Sequence, residues 1–334
     1  MRVIATMTVV GLFALPLVAT GADPLESWEN TSTKASIIEF IDKVTDPESD
    51  DLIPINERIA TFDNDGTLWS EYPEYFQLYF AFDVACDDQP PPTLSKICDK
   101  GREAVPNLNE AEILKLVLAT HNDIAVESFQ GQVELWLQTA THPIRDDLKF
   151  ADMFYKPMQE LLEYLRANQF KTFIVSGGGQ DFVRVFSDSA YGIPPYQVTG
   201  SNTPAYYDAD ANVVNKATEE EEGPKAEAFF VDDKTGKPVG ISTHIGLRPT
   251  FVVGNSDGDR AMTEYASVDG RQYFGLILHH TDEQREFAYD NGGSDDSNYS
   301  GPGRLTDDFR NAIEDEPNWH LIDMKEDWAT VYGE

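Results

Sequence analysis

Cysteine, histidine and positive charge are scarce in this chain of 334 residues: two cysteines, six histidines and 25 basic residues stand against 59 acidic ones. The net charge of −34 makes a surface that repels nucleic acid and anionic membrane. A phosphate-bearing ligand would therefore need a local cationic site. No His or Asp around Cys86 or Cys98 completes a set, which argues against a thiolate metal site or a cysteine nucleophile. The apolar run Val9–Val18 is too short for a membrane span. Internal repeats are absent. What is present is apolar material, 41% hydrophobic and 11% aromatic, enough for a sizeable core in one large domain or two modest ones.

Met1–Ala22 has the pattern of a cleaved leader. Arg2 is a minimal positive start, the apolar run follows, and Thr20-Gly21-Ala22 offers small residues before Asp23. The expectation is a periplasmic or secreted protein with no membrane attachment after cleavage. In that setting two cysteines in one short region favour a disulfide.

The rest of the chain is organised around Ile59–Trp69, reading I-A-T-F-D-N-D-G-T-L-W. Arg58–Phe62 has the β-branched and aromatic character of a buried strand. Asp63 and Asp65 follow at its end, and alternation along extended chain starts them on one face. Gly66 then permits a sharp turn. Open α/β sheets bind ligands at strand carboxyl ends. Like charges this close need a cation or a shared proton to offset them.

Around this stretch, Lys34–Val44 has helical spacing of its apolar residues. Tyr72–Ala85, Ala111–Thr120 and Val126–Thr139 read as helices, without the strand–helix alternation of the flanking parts. Residues 71–152 are thus expected to be a helical insertion between two parts of an α/β core, 33–70 and 153–334. Pro157–Asn168 is an amphipathic helix with Pro in its first turn. Strand Lys171–Val175 ends in Ser176-Gly177-Gly178-Gly179, and a helix starts at Gln180. A hydroxyl and free N–H groups at a helix start suit a phosphate. Tyr196–Val214 is expected to be a β-hairpin insertion. Asp208, Asp210, Asn212 and Glu219 have part of a calcium-loop spacing. The Gly at the sixth position is missing and Lys216 occupies the ninth, so this is read as a solvated turn. A short helix from Lys237 leads to strand Thr250–Val253, which ends in Gly254-Asn255-Ser256-Asp257-Gly258-Asp259, a second acidic cluster. Tyr273–His279 reads as a strand. His279 and His280, neighbours there, face opposite sides and make no metal pair. Helices are expected at Asp282–Tyr289 and Leu305–Ile313, and a last strand near His320–Met324. The alternation predicts a mostly parallel sheet with helices on both faces.

Four elements now stand in order: Phe-Asp-Asn-Asp-Gly-Thr-Leu-Trp, the strand-ending Ser176, a lysine, and Gly-Asn-Ser-Asp-Gly-Asp. Together they resemble the motifs of the haloacid dehalogenase superfamily. An insertion between the first and second resembles the phosphoserine-phosphatase-like branch with a helical cap, in an exported bacterial form. The resemblance implies an α/β, doubly wound, Rossmann-like core and Mg²⁺-dependent hydrolysis of a small phosphomonoester through an aspartyl-phosphate. It implies Asp63 as nucleophile and Asp65 as acid and base. Ser176, Gly177 and Lys237 would hold the phosphoryl oxygens, and Thr67 would sit on the substrate side and orient Asp65. Mg²⁺ would be held by Asp63, Asp65, Asn255 and Asp259, with Asp259 also positioned to pair with Lys237. Lys225, in Gly-Pro-Lys, competes with Lys237 for the lysine role. The family usually has Asp where Asn255 stands. Asn ligates a hard cation through its carbonyl oxygen with less charge, and Asp257 is an alternative donor. Asp65 favours phosphoester hydrolysis over dehalogenation. Trp69 and Glu71 are close enough to line the site. The alternatives are a phosphotransferase of the same fold and a non-catalytic exported binding protein, which Asn255 favours and Asp65 opposes.

Overall fold

The computed structural model describes residues 23–87, 89–210, 212–215, 229–289 and 301–333. The leader at Met1–Ala22, the competing Lys225, Glu219 and Lys216 lie outside these residues. Nine strands are described: β1 (Ile59–Phe62), β2 (Ile124–Ala125), β3 (Lys171–Gly179), β4 (Val198–Ser201), β5 (Ala205–Tyr207), β6 (Val213–Asn215), β7 (Phe251–Gly254), β8 (Phe274–His279) and β9 (Trp319–Asp323). Six of them form one sheet in the order β4-β3-β1-β7-β8-β9, every pair parallel. From β1 the chain winds outward through β3 to β4. It then returns to β7 on the other side of β1 and winds outward to β9. The reversal makes the carboxyl ends of β1 and β7 the topological switch point, where such sheets bind ligands. Asp63 follows β1 there and Asn255 follows β7.

Both faces of the central strands are buried, as the unbroken apolar runs require. Helix Ser32–Thr45, capped by the Thr31 hydroxyl, packs Ile37, Phe40, Ile41 and Val44 inward. The Phe40 ring meets those of Phe251 and Phe274. Helix Lys156–Ala167 carries Pro157 in its first turn and buries Met158, Leu161, Leu162 and Leu165. Among the described residues no helix is long and apolar enough to cross a membrane.

Between β1 and β3 lie helices Phe76–Ala85, Ser95–Cys98, Glu110–His121 and Val126–Thr139. Cys86 and Cys98 are disulfide-bonded. Aromatic contacts hold these helices together. The Phe80 ring meets Phe129 edge-on at 5.5 Å, and Trp136 stacks on Phe150 at 4.7 Å. Phe182, after β3, lies 5.5 Å from Phe80 and ties the insertion to the sheet.

Four expectations are corrected. The aromatic helix starts at Phe76, not Tyr72, which leaves Glu71–Tyr75 to follow the site. β3 continues through the three glycines and shifts register against β4 between Ser176 and Gly179. The hairpin over residues 196–214 is divided: β4 joins the main sheet as its edge, while β5 and β6 pair with each other and β6 with β2. Residues 282–289 form turns instead of a helix, because the Asp282 carboxylate accepts the N–H groups of Gln284 and Arg285.

Candidate active site

Sheet pairing carries the chain into the site, since the Asp63 N–H donates to the Val253 carbonyl at 2.9 Å. Asp63 Oδ1 accepts from the Asn64 N–H at 2.8 Å and lies 2.8 Å from Lys237 Nζ. Lys237, in the turn of helix Gly236–Gly240, also lies 2.8 Å from Asp259 Oδ1 and donates to the Val175 carbonyl at 2.9 Å. The three protons of the ammonium thus meet three acceptors. Lys237 is 1% exposed. Burial works against its charge, but Asp259 and Asp63 outweigh burial and push its pKa up. For Asp63, burial and Asp259 push the carboxyl well above its ordinary range, against the pull of Lys237.

Asp65 is oriented by a tryptophan. The Trp69 indole N–H donates to Asp65 Oδ1 at 2.7 Å, while its ring stacks on Phe186 at 4.6 Å. Burial raises the Asp65 pKa against this hydrogen bond, which favours a protonated acid. Thr67 does not do the job expected of it. It is fully buried off the cavity, and its hydroxyl donates to Asn255 Oδ1 at 3.1 Å, so it positions Asn255.

Asn255 is held at its other end by Glu71, whose Oε1 accepts the amide N–H at 2.7 Å and the Tyr289 hydroxyl at 2.9 Å. Burial, then Asp65, pushes the Glu71 carboxyl well up. Asp259 departs from the expected metal ligand. Its Oδ2 accepts the N–H groups of Asn255 at 2.9 Å and Ser256 at 3.1 Å, and its Oδ1 faces Lys237. Both oxygens are engaged within the protein, so Asp259 positions the lysine and the Asn255 backbone. Asp257 points away, its Oδ1 accepting the Thr306 N–H at 3.0 Å and hydroxyl at 2.9 Å.

Ser176 Oγ accepts the Gly178 N–H at 3.0 Å. A Cβ on Gly178 would lie 3.1 Å from Asp65 Oδ2, so glycine there lets the turn after Ser176 lie against Asp65. From the insertion, Gln77 Oε1 accepts the Gly179 N–H at 2.7 Å, and its amide nitrogen lies 3.0 Å from His121 Nε2. His121 then donates Nδ1–H to the Val117 carbonyl at 2.9 Å. Burial pushes this imidazole down to about 4, so it is neutral near pH 7.

These groups open onto a cavity of about 640 Å³. Asp63, Asp65, Glu71, Gly177 and Asn255 line its floor, and Leu78, Ile113, Leu114, Val117 and Phe129 line a wall on the insertion. Thr67, Ser176, Lys237 and Asp259 are not among its lining residues. Of the expected site residues, Asp63, Asp65, Ser176, Gly177, Lys237, Asn255 and Asp259 converge. Sequence reasoning missed Gln77 and Tyr289 and gave Trp69 no hydrogen bond. An indole next to an acidic turn is the one signal for Trp69, because its N–H seeks a partner when buried.

No three His, Cys, Asp or Glu side chains converge as a metal cage among the described residues. The available donors are mixed: the Asp63 carboxylate, the Asp65 main-chain carbonyl and Asn255 Oδ1, all hard oxygens suited to Mg²⁺. Three buried carboxyls, Asp63, Glu71 and Asp259, and the half-buried Asp65 gather where Lys237 is the one cation at the site among the described residues, and burial holds several of them toward the neutral form without a further cation. An added divalent cation fits the same set in its ionised form.

A family model described as haloacid dehalogenase-like hydrolase matches residues 57–235. Among solved structures, a conserved functionally unknown protein from Anaerococcus prevotii is 16% identical, with a TM-score of 0.50 over 77% of this chain and 87% of that one. A protein of unknown function from Bordetella pertussis is 14% identical over 80% and 99% of the two chains, with a TM-score of 0.44. A phosphoserine phosphohydrolase-like protein from Francisella tularensis is 17% identical over 66% and 87%, with a TM-score of 0.35. At 16% identity, the likeness to the Anaerococcus prevotii protein speaks for the fold alone. No curated protein sequence matches the chain.

Proposed function

Because the chain belongs to the haloacid dehalogenase-like hydrolases, we propose that it hydrolyses a small phosphomonoester through an aspartyl-phosphate on Asp63. One observation carries this reading. A carboxylate paired with a buried lysine and a second carboxyl raised by burial stand together at the switch point of the sheet, facing one cavity.

Asp63 attacks phosphorus, forming a P–O bond as the bond to the leaving alkoxide breaks. Protonated Asp65 gives its proton to that oxygen. It then takes a proton from the water that attacks phosphorus and frees Asp63. The Trp69 hydrogen bond keeps Asp65 in one rotamer through both steps. Lys237 fixes the Asp63 rotamer and offsets its charge. Ser176 accepts from Gly178, so its own proton remains for a phosphoryl oxygen, beside the Gly177 N–H. Mg²⁺ would be held by Asp63, the Asp65 carbonyl and Asn255, and supplies positive charge between an anionic nucleophile and an anionic substrate.

We assign the insertion, 71–152, the role of cap. Its apolar wall suits an ester with an apolar organic part, and Gln77 links it to the glycine turn. The Met1–Ala22 pattern supports export, which the mass of the mature chain outside the cytoplasm would test.

The decisive experiment is phosphate release from a panel of phosphomonoesters, with Mg²⁺, with EDTA, and for Asp63→Asn. Metal-dependent turnover that disappears in the variant is expected. No turnover of any ester by folded protein that still binds Mg²⁺ would favour the non-catalytic binding protein.

A further inference from the structure

Three glycines follow Ser176, and backbone without side chains has to be held from outside. The ladder between β3 and β4 shifts register between Ser176 and Gly179, so regular pairing is interrupted there. Three side chains take over. Ser176 Oγ accepts the Gly178 N–H at 3.0 Å, the Ser201 hydroxyl donates to the Gly177 carbonyl at 2.7 Å, and Gln77 Oε1 accepts the Gly179 N–H at 2.7 Å. The two serines stand on β3 and β4 themselves. Gln77 comes from the insertion, 102 residues earlier in the chain. We propose that Gln77 is a positioning residue for the reaction, setting the glycine turn from the insertion in an orientation that His121 imposes, an assignment that rests on the phosphomonoester reading above.

The polarity of the connection is fixed at both ends. A main-chain N–H only donates, so Gln77 turns its oxygen to Gly179 and its NH₂ to His121, whose Nε2 is 3.0 Å away. A carbonyl only accepts, so the Nδ1 of His121, 2.9 Å from the Val117 carbonyl, carries the ring proton. The Thr120 hydroxyl donates to the Leu116 carbonyl at 3.0 Å and offers a lone pair to the same Nδ1–H at 2.7 Å. The other neighbours of the imidazole are the rings of Phe80 and Phe129. None of these groups is charged, and burial keeps the ring neutral near pH 7. Its Nε2 is therefore a bare acceptor for the Gln77 amide. With the amide reversed, oxygen would meet that lone pair and NH₂ would meet the Gly179 N–H, two repulsions in place of two bonds.

The turn held in this way lies against the chemistry. A Cβ on Gly179 would lie 2.4 Å from Gln77 Nε2, so only glycine admits the amide this close. The next residue back, Gly178, packs against Asp65 Oδ2. Loss of the Gln77 bond frees the turn beside the acid, and small displacements of positioning groups cost rate.

The experiment is a double-mutant cycle on full-length protein, with 4-nitrophenyl phosphate as probe, beside ¹⁵N NMR of the imidazoles. Gln77→Met keeps the length of the side chain but neither accepts from Gly179 nor donates to His121. Its kcat/KM should fall about 10–100-fold, mainly in kcat. His121→Phe removes the acceptor for the amide and should cost less. The double variant should be no worse than Gln77→Met, because the two residues act through one contact. The imidazole signal missing from His121→Phe should show, in wild type at pH 7, a protonated Nδ1 and a bare Nε2. A structural role alone would lower the denaturant midpoint and leave kcat of the folded enzyme in place. Gln77→Met within about twofold of wild type overturns the assignment, and so do effects that multiply in the double variant. If Gln77→Met does not fold, a wild-type ring protonated at Nε2 overturns it instead. A wild type that releases phosphate from no ester overturns the phosphomonoester reading, while the spectrum still decides the contact between Gln77 and His121, so the two failures are distinguishable.

Discussion

Beneath the floor of the cavity, Lys237 contacts Asp63 and Asp259 at 2.8 Å each, and all three are nearly closed to solvent. In the insertion above it, Phe80, Phe129, Trp136 and Phe150 meet at ring distances of 4.7–5.7 Å, with Trp136 also donating to Asp83 at 2.8 Å on the rim of the cluster. The floor is directional: each charged atom is met by specific partners at hydrogen-bonding distance, and the loss of a partner leaves a buried charge. The roof depends on area and shape, which several residue types supply. Substitutions of similar size should therefore be ruinous below and mild above.

The largest stability effect should come from Lys237→Met. It removes the counter-charge from Asp63 and Asp259 at similar volume, and breaking a buried pair in this way costs about 3–5 kcal/mol. Denaturant titration should show that loss, and Mg²⁺ should recover part of it. A midpoint shift below what about 1 kcal/mol produces would mean that the floor tolerates unpaired charge. Gly66→Ala should come next. Left-handed backbone costs an L-residue about 1–2 kcal/mol, and the added Cβ would sit 2.2 Å from Asn255 and Glu71. Phosphate release should fall with stability. If activity persists, the Glu71–Asn255 pair has room to shift.

In the roof, removal of the Cys86–Cys98 bond should act on stability alone. It closes a loop with a separation of 12 residues, for which the chain-entropy model gives about 3 kcal/mol. The double Ala variant should unfold at lower denaturant, yet keep kcat within about twofold, because no floor residue moves. A collapse of kcat would show that this loop, and not Gln77 alone, positions the chemistry.

The same contrast explains what the sequence disclosed. Asp63, Asp65, Lys237 and Asn255 were legible because a charge at a strand end needs a reason, and the order of strands set where those ends meet. The targets of these side chains were less legible. Thr67 turned to Asn255, and Asp259 spent both oxygens inside the protein. Trp69 was close enough in sequence to line the site; its ring is instead core, while its N–H serves Asp65. Gln77 lies on a helix whose apolar pattern says nothing of a polar neighbour across the cavity. β4, Val-Thr-Gly-Ser, was misassigned because so short a strand with one large apolar residue looks the same in a hairpin and at a parallel edge.

Between floor and roof stands Glu74, and it provides the finest test of the contrast. Burial, opposed by the Tyr75 N–H, pushes its carboxyl from 4.5 to about 7. The folded protein therefore holds this proton more tightly than the unfolded chain. Stability from the protonated form is fully present below about 4.5 and is lost as pH rises to about 7. Glu74→Gln, which cannot ionise, should match wild type at pH 4 and exceed it at pH 8 in denaturant midpoint. Equal midpoints at pH 8 would mean that water reaches Glu74. The cavity would then be wet up to the insertion, and the dry, apolar roof would begin only beyond it.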